Sequence, residues 1–323
     1  MSDRTGTVFI GDVALDEYFS ADAWPGVGDK AWVSTETAEV GGMIANAASV
    51  HAGLGGAVRF LTTMNDSAVS KRLLADLADQ GIDTGLCRVD PALADSRCLI
   101  FLVGNQHVVI TPEIGDQRFE LDDAALSEIA GSRSIYSSIG DLRRLRHGRL
   151  TPAQILQQIR QGGTRVVLDL DVADLADGDA EIIGSVDVCF VNRIGFERLA
   201  AGRTTEQTVT ALLEAGMMHL VVTRDEDGAT VYSTGGSWDV PGIPAAVVDV
   251  TGAGDTFCSA FLFALDRTDD PALAARFANG AGARATERHG ARSGVASVAE
   301  IVSYLSIAGH DTTALETALL PAR

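Results

Sequence analysis

From Asp249 to Phe257 the chain reads Asp-Val-Thr-Gly-Ala-Gly-Asp-Thr-Phe, and the helical run Cys258 to Leu265 follows at once. A turn made of Gly252, Ala253 and Gly254 that feeds a helix leaves backbone N–H groups unpaired at the helix's positive end, a place to hold a phosphate. Asp255 then falls in the first turn, beside any anion held there. A carboxylate next to a phosphate cradle can take the proton from an attacking hydroxyl during phosphoryl transfer. The plainer reading of the same residues is a tight turn whose aspartate caps a buried helix.

Two further groups lie near the N-terminus. Gly11-Asp12-Val13-Ala14-Leu15-Asp16 follows an apolar strand candidate, and ligands of open α/β folds bind beyond the carboxyl ends of the strands. A carboxylate there, Asp12 or Asp16, can accept hydrogen bonds from two sugar hydroxyls; an acidic surface loop is the alternative. In Gly41-Gly42-Met43-Ile44-Ala45-Asn46, paired glycines before a helix let the backbone approach a ligand. Asn46, on the first turn, can both donate and accept. A hinge ahead of an Ala-rich core helix is the other reading, and the two can coexist.

The elements that must position these residues alternate in type. Strand candidates are Val8–Ile10, Val58–Thr62, Ser134–Ser138, Arg165–Leu170, Val186–Val191 and His219–Thr223; helix candidates are Ser67–Gln80, Pro152–Gln161, Gly195–Ala200 and Glu206–Ala215. That rhythm predicts an α/β fold, a doubly wound parallel sheet with helices on both faces. Two stretches break it. Ala31 to Val40 is β-prone, and Cys98–Val103 with His107–Ile110 reads as a hairpin turned at Gly104-Asn105. Together they predict either a small inserted β lid or extra edge strands on the main sheet. Ala272–Arg288 and Val298–Leu305 read as helices, and the tail from His310 as partly helical and loosely held.

Composition bounds the function classes. A hydrophobic fraction of 46% over 323 residues supports a large core. With 25 basic against 44 acidic residues, the net charge of −19 disfavours nucleic acid and anionic membrane as partners. The N-terminus lacks the basic-then-apolar pattern of a signal peptide, so a cytoplasmic location is expected. Cys87, Cys98, Cys189 and Cys258 are scattered, and the histidines show no metal-ligand spacing; His107, in the lid stretch, is the one to watch. No Gly-x-x-x-x-Gly-Lys motif occurs, which excludes a P-loop, and Gly252-Ala253-Gly254 lacks the context of a dinucleotide fingerprint.

The Asp249–Phe257 segment resembles the C-terminal signature of the ribokinase (PfkB) family of carbohydrate and nucleoside kinases, and the resemblance extends over roughly residues 5 to 305. It implies an ATP-dependent, Mg2+-assisted kinase acting on a hydroxyl of a small ribose- or fructose-like sugar. Asp255 would be the general base, with the amides of Gly252, Ala253 and Gly254 stabilising the transferring phosphoryl group. On the sugar side it implies Asp12, Asp16, Gly41, Gly42 and Asn46. On the nucleotide side it implies Asn192, Thr223, Asp225 and Gly228, with Asn279 near the adenine. Two positions depart from the family pattern: Gly195 stands where a magnesium-associated Glu is usual, and Asp225 stands where a phosphate-loop Gly is usual. Asp249, Thr251, Ala285, Arg288 and Gly290 match positions that bind a monovalent cation such as K+ in some members. The expected organisation is a kinase domain over 1–310, lid strands inserted at about 13–40 and 96–112, and a tail over 311–323, with a homodimer formed through the lid. The alternatives are a nucleoside kinase, for which Tyr18, Phe19, Trp24 and Trp32 offer stacking surfaces, and a non-catalytic sugar or nucleotide sensor.

Overall fold

The computed structural model describes residues 4–320 apart from Asn105, Val172, Ala173 and the side chain of His107. Two sheets carry the architecture. Their strands are β1 (Thr7–Ile10), β2 (Ala14–Ala21), β3 (Ser34–Gly41), β4 (Val58–Leu61), β5 (Arg97–Val103), β6 (Gln106–Ile110), β7 (Ser134–Ser138), β8 (Arg165–Asp169), β9 (Val188–Asn192), β10 (His219–Thr223), β11 (Ala229–Ser233) and β12 (Gly236–Val240). The main sheet runs β12-β11-β10-β9-β8-β7-β1-β4. Neighbours pair in parallel from β4 to β10, and the last two pairings are antiparallel.

Both faces of this sheet are buried, which is why its strands read as continuous apolar runs. Side chains alternate across β8: Val167 joins one core, with Phe9, Tyr136, Phe190 and Val221, while Val166 and Leu168 join the other, with Val8, Ile10 and Ile135. The helices that matter below are α1 (Met43–Gly53), α2 (Ala68–Asp79), α3 (Asp123–Ala130), α4 (Pro152–Gln161), α5 (Arg193–Ala200), α6 (Ala253–Thr268) and α7 (Pro271–Thr286). Helices α1, α6 and α7 cover the first core, and α3 and α4 the second. Several start on side-chain caps; Thr151 and Gln154, for example, satisfy each other's backbone N–H groups at the start of α4. No described helix is long and apolar enough to cross a membrane.

The second sheet, β3-β2-β5-β6, is separate from the main one, which decides between a lid and edge strands in favour of a distinct small sheet. Val103 pairs with Gln106, so the β5–β6 hairpin closes at the expected place, although Asn105 lies outside the described residues. Three expectations need correcting. The hairpin β11–β12 was not foreseen. The strand expected over Val186–Val191 begins at Val188 and runs on to Asn192. The tail is not loosely held: it forms a helix over Thr313–Leu319 whose Leu315 and Leu319 are 0% and 8% exposed. Each leucine so buried contributes about 1.5–3 kcal/mol.

Candidate functional site

A cleft of about 970 Å3 opens at the carboxyl ends of the parallel strands, between the start of α6 and the second sheet. It brings together Asp12, Asp16, Gly42, Asn46, Asn192, Thr223, Asp225, Thr251, Gly252, Gly254 and Asp255. Residues far apart in the chain meet here because the parallel strand order delivers each strand's C-terminal loop to one rim.

The signature turn forms its floor. Gly252 has φ +74°, and any side chain there would run into the Ala291 carbonyl, so the turn and the segment after α7 are packed backbone to backbone. The Ala253 N–H donates to the Val250 carbonyl at 3.2 Å. Of the three amides expected to face an anion, that one is already engaged. Among the described residues no backbone acceptor meets the N–H groups of Gly252, Gly254 and Asp255, which leaves an open cradle at the α6 N-terminus. Asp255 lies in the first turn, and its Oδ2 accepts from Asn46 Nδ2 at 3.0 Å. Burial holds its carboxyl well above the ordinary carboxylate range. The Asn46 bond opposes that shift, and the charges of Asp169, Asp12 and Asp171 add to it.

At the start of α1 the two glycines have separate reasons. A side chain at Gly41 would collide with the Asp16 carboxylate, and Gly42, at φ +101°, would place a Cβ 2.9 Å from the Asp12 carbonyl. Asp12 Oδ1 accepts from the Ile44 N–H at 3.3 Å, standing in for the side-chain cap that Gly42 cannot supply to α1. Burial, then the Asp12 charge, pushes Asp16 up to about 6, with Arg292 opposing and the cross-strand Glu39 adding. Asp141 completes this end and is pushed up to about 7 by burial and by Asp12. Ser138 Oγ donates to Asp141 Oδ2 at 2.7 Å, and Arg144 Nη1 reaches both Asp141 (3.3 Å) and Gln117 (2.7 Å).

At the end of β9, Asn192 caps α5 by accepting the Gly195 N–H at 2.9 Å and donates Nδ2 to Asp171 Oδ1 at 2.9 Å. Gly195 is sterically required, because a side chain there would run into the Asp171 carbonyl. A glutamate at this position is therefore excluded by the backbone, and Asp171 places an exposed carboxylate at the rim. Below it, Tyr136 donates to Asp169 Oδ2 at 2.6 Å; burial pushes Asp169 up to about 6. Asp225 adopts φ +52°, a conformation natural to the glycine it replaces. Arg224 does not offset its charge: it turns back to Asp239 at 3.4 Å. Gly228 closes the turn at φ +92° but does not line the cleft.

Asn279 is buried and spends its Nδ2 on the carbonyls of Val240 and Pro241, at 3.2 and 2.9 Å, which ties α7 to the end of β12. The residues at the monovalent-cation positions also make hydrogen bonds within the protein. Asp249 accepts from the N–H groups of Gly290 and Thr251 and from the Thr251 hydroxyl, and the Ala285 carbonyl accepts from Ser293 Oγ. Arg288 and Gly290 lie outside the cleft lining. Burial lifts the Asp249 carboxyl, but those donors outweigh it and hold the group below its ordinary range. For magnesium, no three His, Cys, Asp or Glu side chains among the described residues converge on an ion. The donor set suits an ion carried mainly by nucleotide phosphates and touched by one carboxylate, Asp171.

Sequence reasoning missed Asp141, Arg144, Asp169, Asp171 and Arg292. A signal existed for the middle pair: Leu168-Asp169-Leu170-Asp171 places two carboxylates at the carboxyl end of a parallel strand.

Comparison with known proteins bears on the family and the fold. The chain is 26% identical over 304 residues to a ribokinase of Arabidopsis thaliana, covering 88% of this chain and 76% of that one. It is 26% identical over 293 residues to an ATP-dependent ribose-1-phosphate kinase of Halopiger xanaduensis, covering 88% and 92%. The solved structure of Arabidopsis thaliana ribokinase complexed with ribose and ATP superposes with a TM-score of 0.77 at 21% identity, over 95% of this chain and 100% of that one. That superposition supports the shared fold. Residues 7–297 match the family described as pfkB family carbohydrate kinase, and the chain belongs to that family of ATP-dependent phosphotransferases.

Proposed function

We propose that the protein transfers the γ-phosphate of ATP to a hydroxyl of a small ribose- or fructose-like sugar. The observation that carries this reading is the position of Asp255, between the open amides of Gly252 and Gly254 and the sugar-side amide of Asn46. In the forward reaction Asp255 takes the hydroxyl proton as the oxygen attacks. Its raised pKa makes it a stronger base than an ordinary carboxylate, at the cost of needing a higher pH to be ionised. The amides of Gly252, Gly254 and Asp255 then meet the charge of the transferring group without reorganising. Asp12, Asp16 and Asn46 hold the sugar hydroxyls. Asn192, Thr223 and Asp225 line the nucleotide side. Magnesium, when bound with the nucleotide, neutralises phosphate charge, and Asp171 is the residue placed to touch it. K+ would meet backbone carbonyls near Thr251, Ala285, Arg288 and Gly290, and comparing rates in K+, Na+ and choline salts tests that role.

The second sheet serves as the lid that excludes water, since Asp16, Arg97 and Cys98 on its strands line the cleft. Its outward surface supports the homodimer: Trp32, beside β3, is 97% exposed, and Ile110 on β6 is exposed too. Sedimentation of wild type against Trp32→Lys tests it. An ATP-dependent reaction fits a cytoplasmic setting.

The nucleoside reading loses its motivating residues. Tyr18, Phe19, Trp24 and Trp32 are not among those lining the cleft, and Phe19 and Trp24 pack on Phe101, with ring centroids 5.2 and 5.3 Å away. ATP turnover with a panel of pentoses, hexoses and nucleosides is the deciding measurement. Turnover confined to nucleosides, or none with any acceptor, would overturn the proposal.

A further inference from the structure

Arg292 belongs to none of the recognised motifs, yet it reaches the base through one intermediary. It sits on a turn that cannot shift freely: the Ala291 carbonyl abuts Gly252, and Gly294 abuts Thr256, both at the start of α6. From there its Nε donates to Asn46 Oδ1 at 3.4 Å, and its Nη1 pairs with Asp76 on α2. Asn46 Nδ2 then donates to Asp255 Oδ2 at 3.0 Å. No other donor to that carboxylate occurs among the described residues.

The two ends of an amide have the same shape and opposite hydrogen-bonding character, so a neighbour must decide which end faces where. A guanidinium carries no acceptor and can meet only the oxygen. With Oδ1 turned to Arg292, the NH2 end must face Asp255. We propose that Arg292 is a positioning residue for the general base: it locks the Asn46 amide in the orientation that donates to Asp255, and Asp76 holds Arg292 in place.

The surroundings make that orientation matter. Asp255 is faced by Asp12 from the loop after β1, by Asp169 and Asp171 at the end of β8, and by the Cys258 thiol on its own helix; burial and the charges of the three aspartates disfavour its ionised form, and the same crowding holds the thiol neutral. The Asn46 bond works the other way. Around Arg292 stand Asp76, Arg72 and Asp79 of α2, Asp16 of β2 and Glu39 of β3. Without the guanidinium the amide is free to turn over and present Oδ1 to Asp255, which stabilises the protonated acid and blocks the base at neutral pH. The loss is therefore pH-dependent, unlike that from a strap that merely ties α2 to the turn.

The inference rests on the kinase reading, and the test separates the two. Using the sugar identified in the panel, kcat and KM are measured from pH 6 to 9 for wild type, Arg292→Gln, Arg292→Lys, Asp76→Asn and Asp255→Asn. Arg292→Gln should lower kcat about tenfold at pH 7, move the acid limb up by about one pH unit, regain most activity at pH 9 and leave the KM for ATP unchanged. Arg292→Lys, which can still donate to Oδ1, should recover most of the loss, and Asp76→Asn should show a smaller shift in the same direction. If Arg292→Gln does not fold, the other two substitutions carry the test. A pH profile that superposes on wild type, or a loss equal at every pH, overturns the inference. An Asp255→Asn enzyme as active as wild type overturns the kinase reading instead.

Discussion

At the amino ends of the parallel strands, Arg4, Arg133, Arg160 and Arg165 surround a hollow of about 840 Å3 together with Asp187 and Asp266. At the carboxyl ends, Asp12, Asp16, Asp141, Asp169 and Asp255 surround one of about 970 Å3. Size alone does not distinguish these two regions. Burial lifts carboxyl groups at both, but the neighbours differ in sign. Around Asp266 the guanidinium charges of Arg165, Arg133 and Arg267 oppose the lift, whereas around Asp255 and Asp141 other carboxylates add to it. Asp187, at the amino end, accepts both the Val166 N–H at 2.8 Å and Arg160. One end is electrostatically settled and the other is frustrated. Frustration of that kind marks the place where a ligand's charge or hydroxyls complete the structure.

The largest expected effect falls at the frustrated end. Asp255→Asn keeps the shape of the base and removes its proton acceptor, so turnover should fall by about two orders of magnitude or more, with ATP affinity nearly unchanged by calorimetry. At the settled end, Arg165→Met leaves the buried Asp266 without its paired charge. Chemical denaturation should show a loss of about 3 kcal/mol, while activity per folded molecule stays at the wild-type level. An activity loss as large as that of Asp255→Asn would break the comparison.

Asp141→Asn should act in the opposite direction. Its folded-state pKa, about 7, lies above the unfolded value near 3.8, so in the wild type the favourable contribution is present below pH 4 and is lost as pH rises through 7. Removing the carboxyl should therefore stabilise the protein by roughly 1–3 kcal/mol at pH 8 and not at all at pH 4. Equal melting temperatures for variant and wild type at both pH values would show that this end is not strained. The smallest effect belongs to Asp225→Gly. It relieves a left-handed aspartate and a charge with no salt-bridge partner among the described residues, so ATP should bind more tightly at low salt and the gain should shrink as salt rises. The gain in stability should stay below about 1 kcal/mol. Weaker ATP binding would mean that the Asp225 carboxylate is used by a cation.

Local features of the fold were readable from the sequence, and convergent ones were not. β7 and β10 were legible to the residue, at Ser134–Ser138 and His219–Thr223, because strands buried on both faces leave uninterrupted apolar runs. The β11–β12 hairpin was not, because β12 is mostly exposed and carries Ser237 and Asp239 among its few apolar residues. The floor of the site was legible for the same reason as the central strands: Gly252 to Asp255 and Gly41 to Asn46 are short contiguous segments whose chemistry is written in adjacent residues. Asp141, Asp171 and Arg292 arrive on three separate segments, a short helix at Ile139–Leu142 and two turns, and only the order of the strands and the fold of the segment after α7 bring them to one place. The helical position of Asn279 does not say which way the amide turns, and its Nδ2 turns toward Val240 and Pro241.

The close packing of Gly252 on the Ala291 carbonyl and of Gly294 on the Thr256 side chain has a consequence for how this enzyme can diverge. No larger residue fits at either glycine, so the part of the protein that performs the chemistry is closed to gradual change. Asp16, Arg97, Cys98 and Ile100, by contrast, project into the cleft from β2 and β5 of the outer sheet, where exchanges do not disturb that interlock. New acceptors are therefore reached by rewriting the outer sheet above an unaltered floor. A library confined to those strands is the economical route to a changed substrate range.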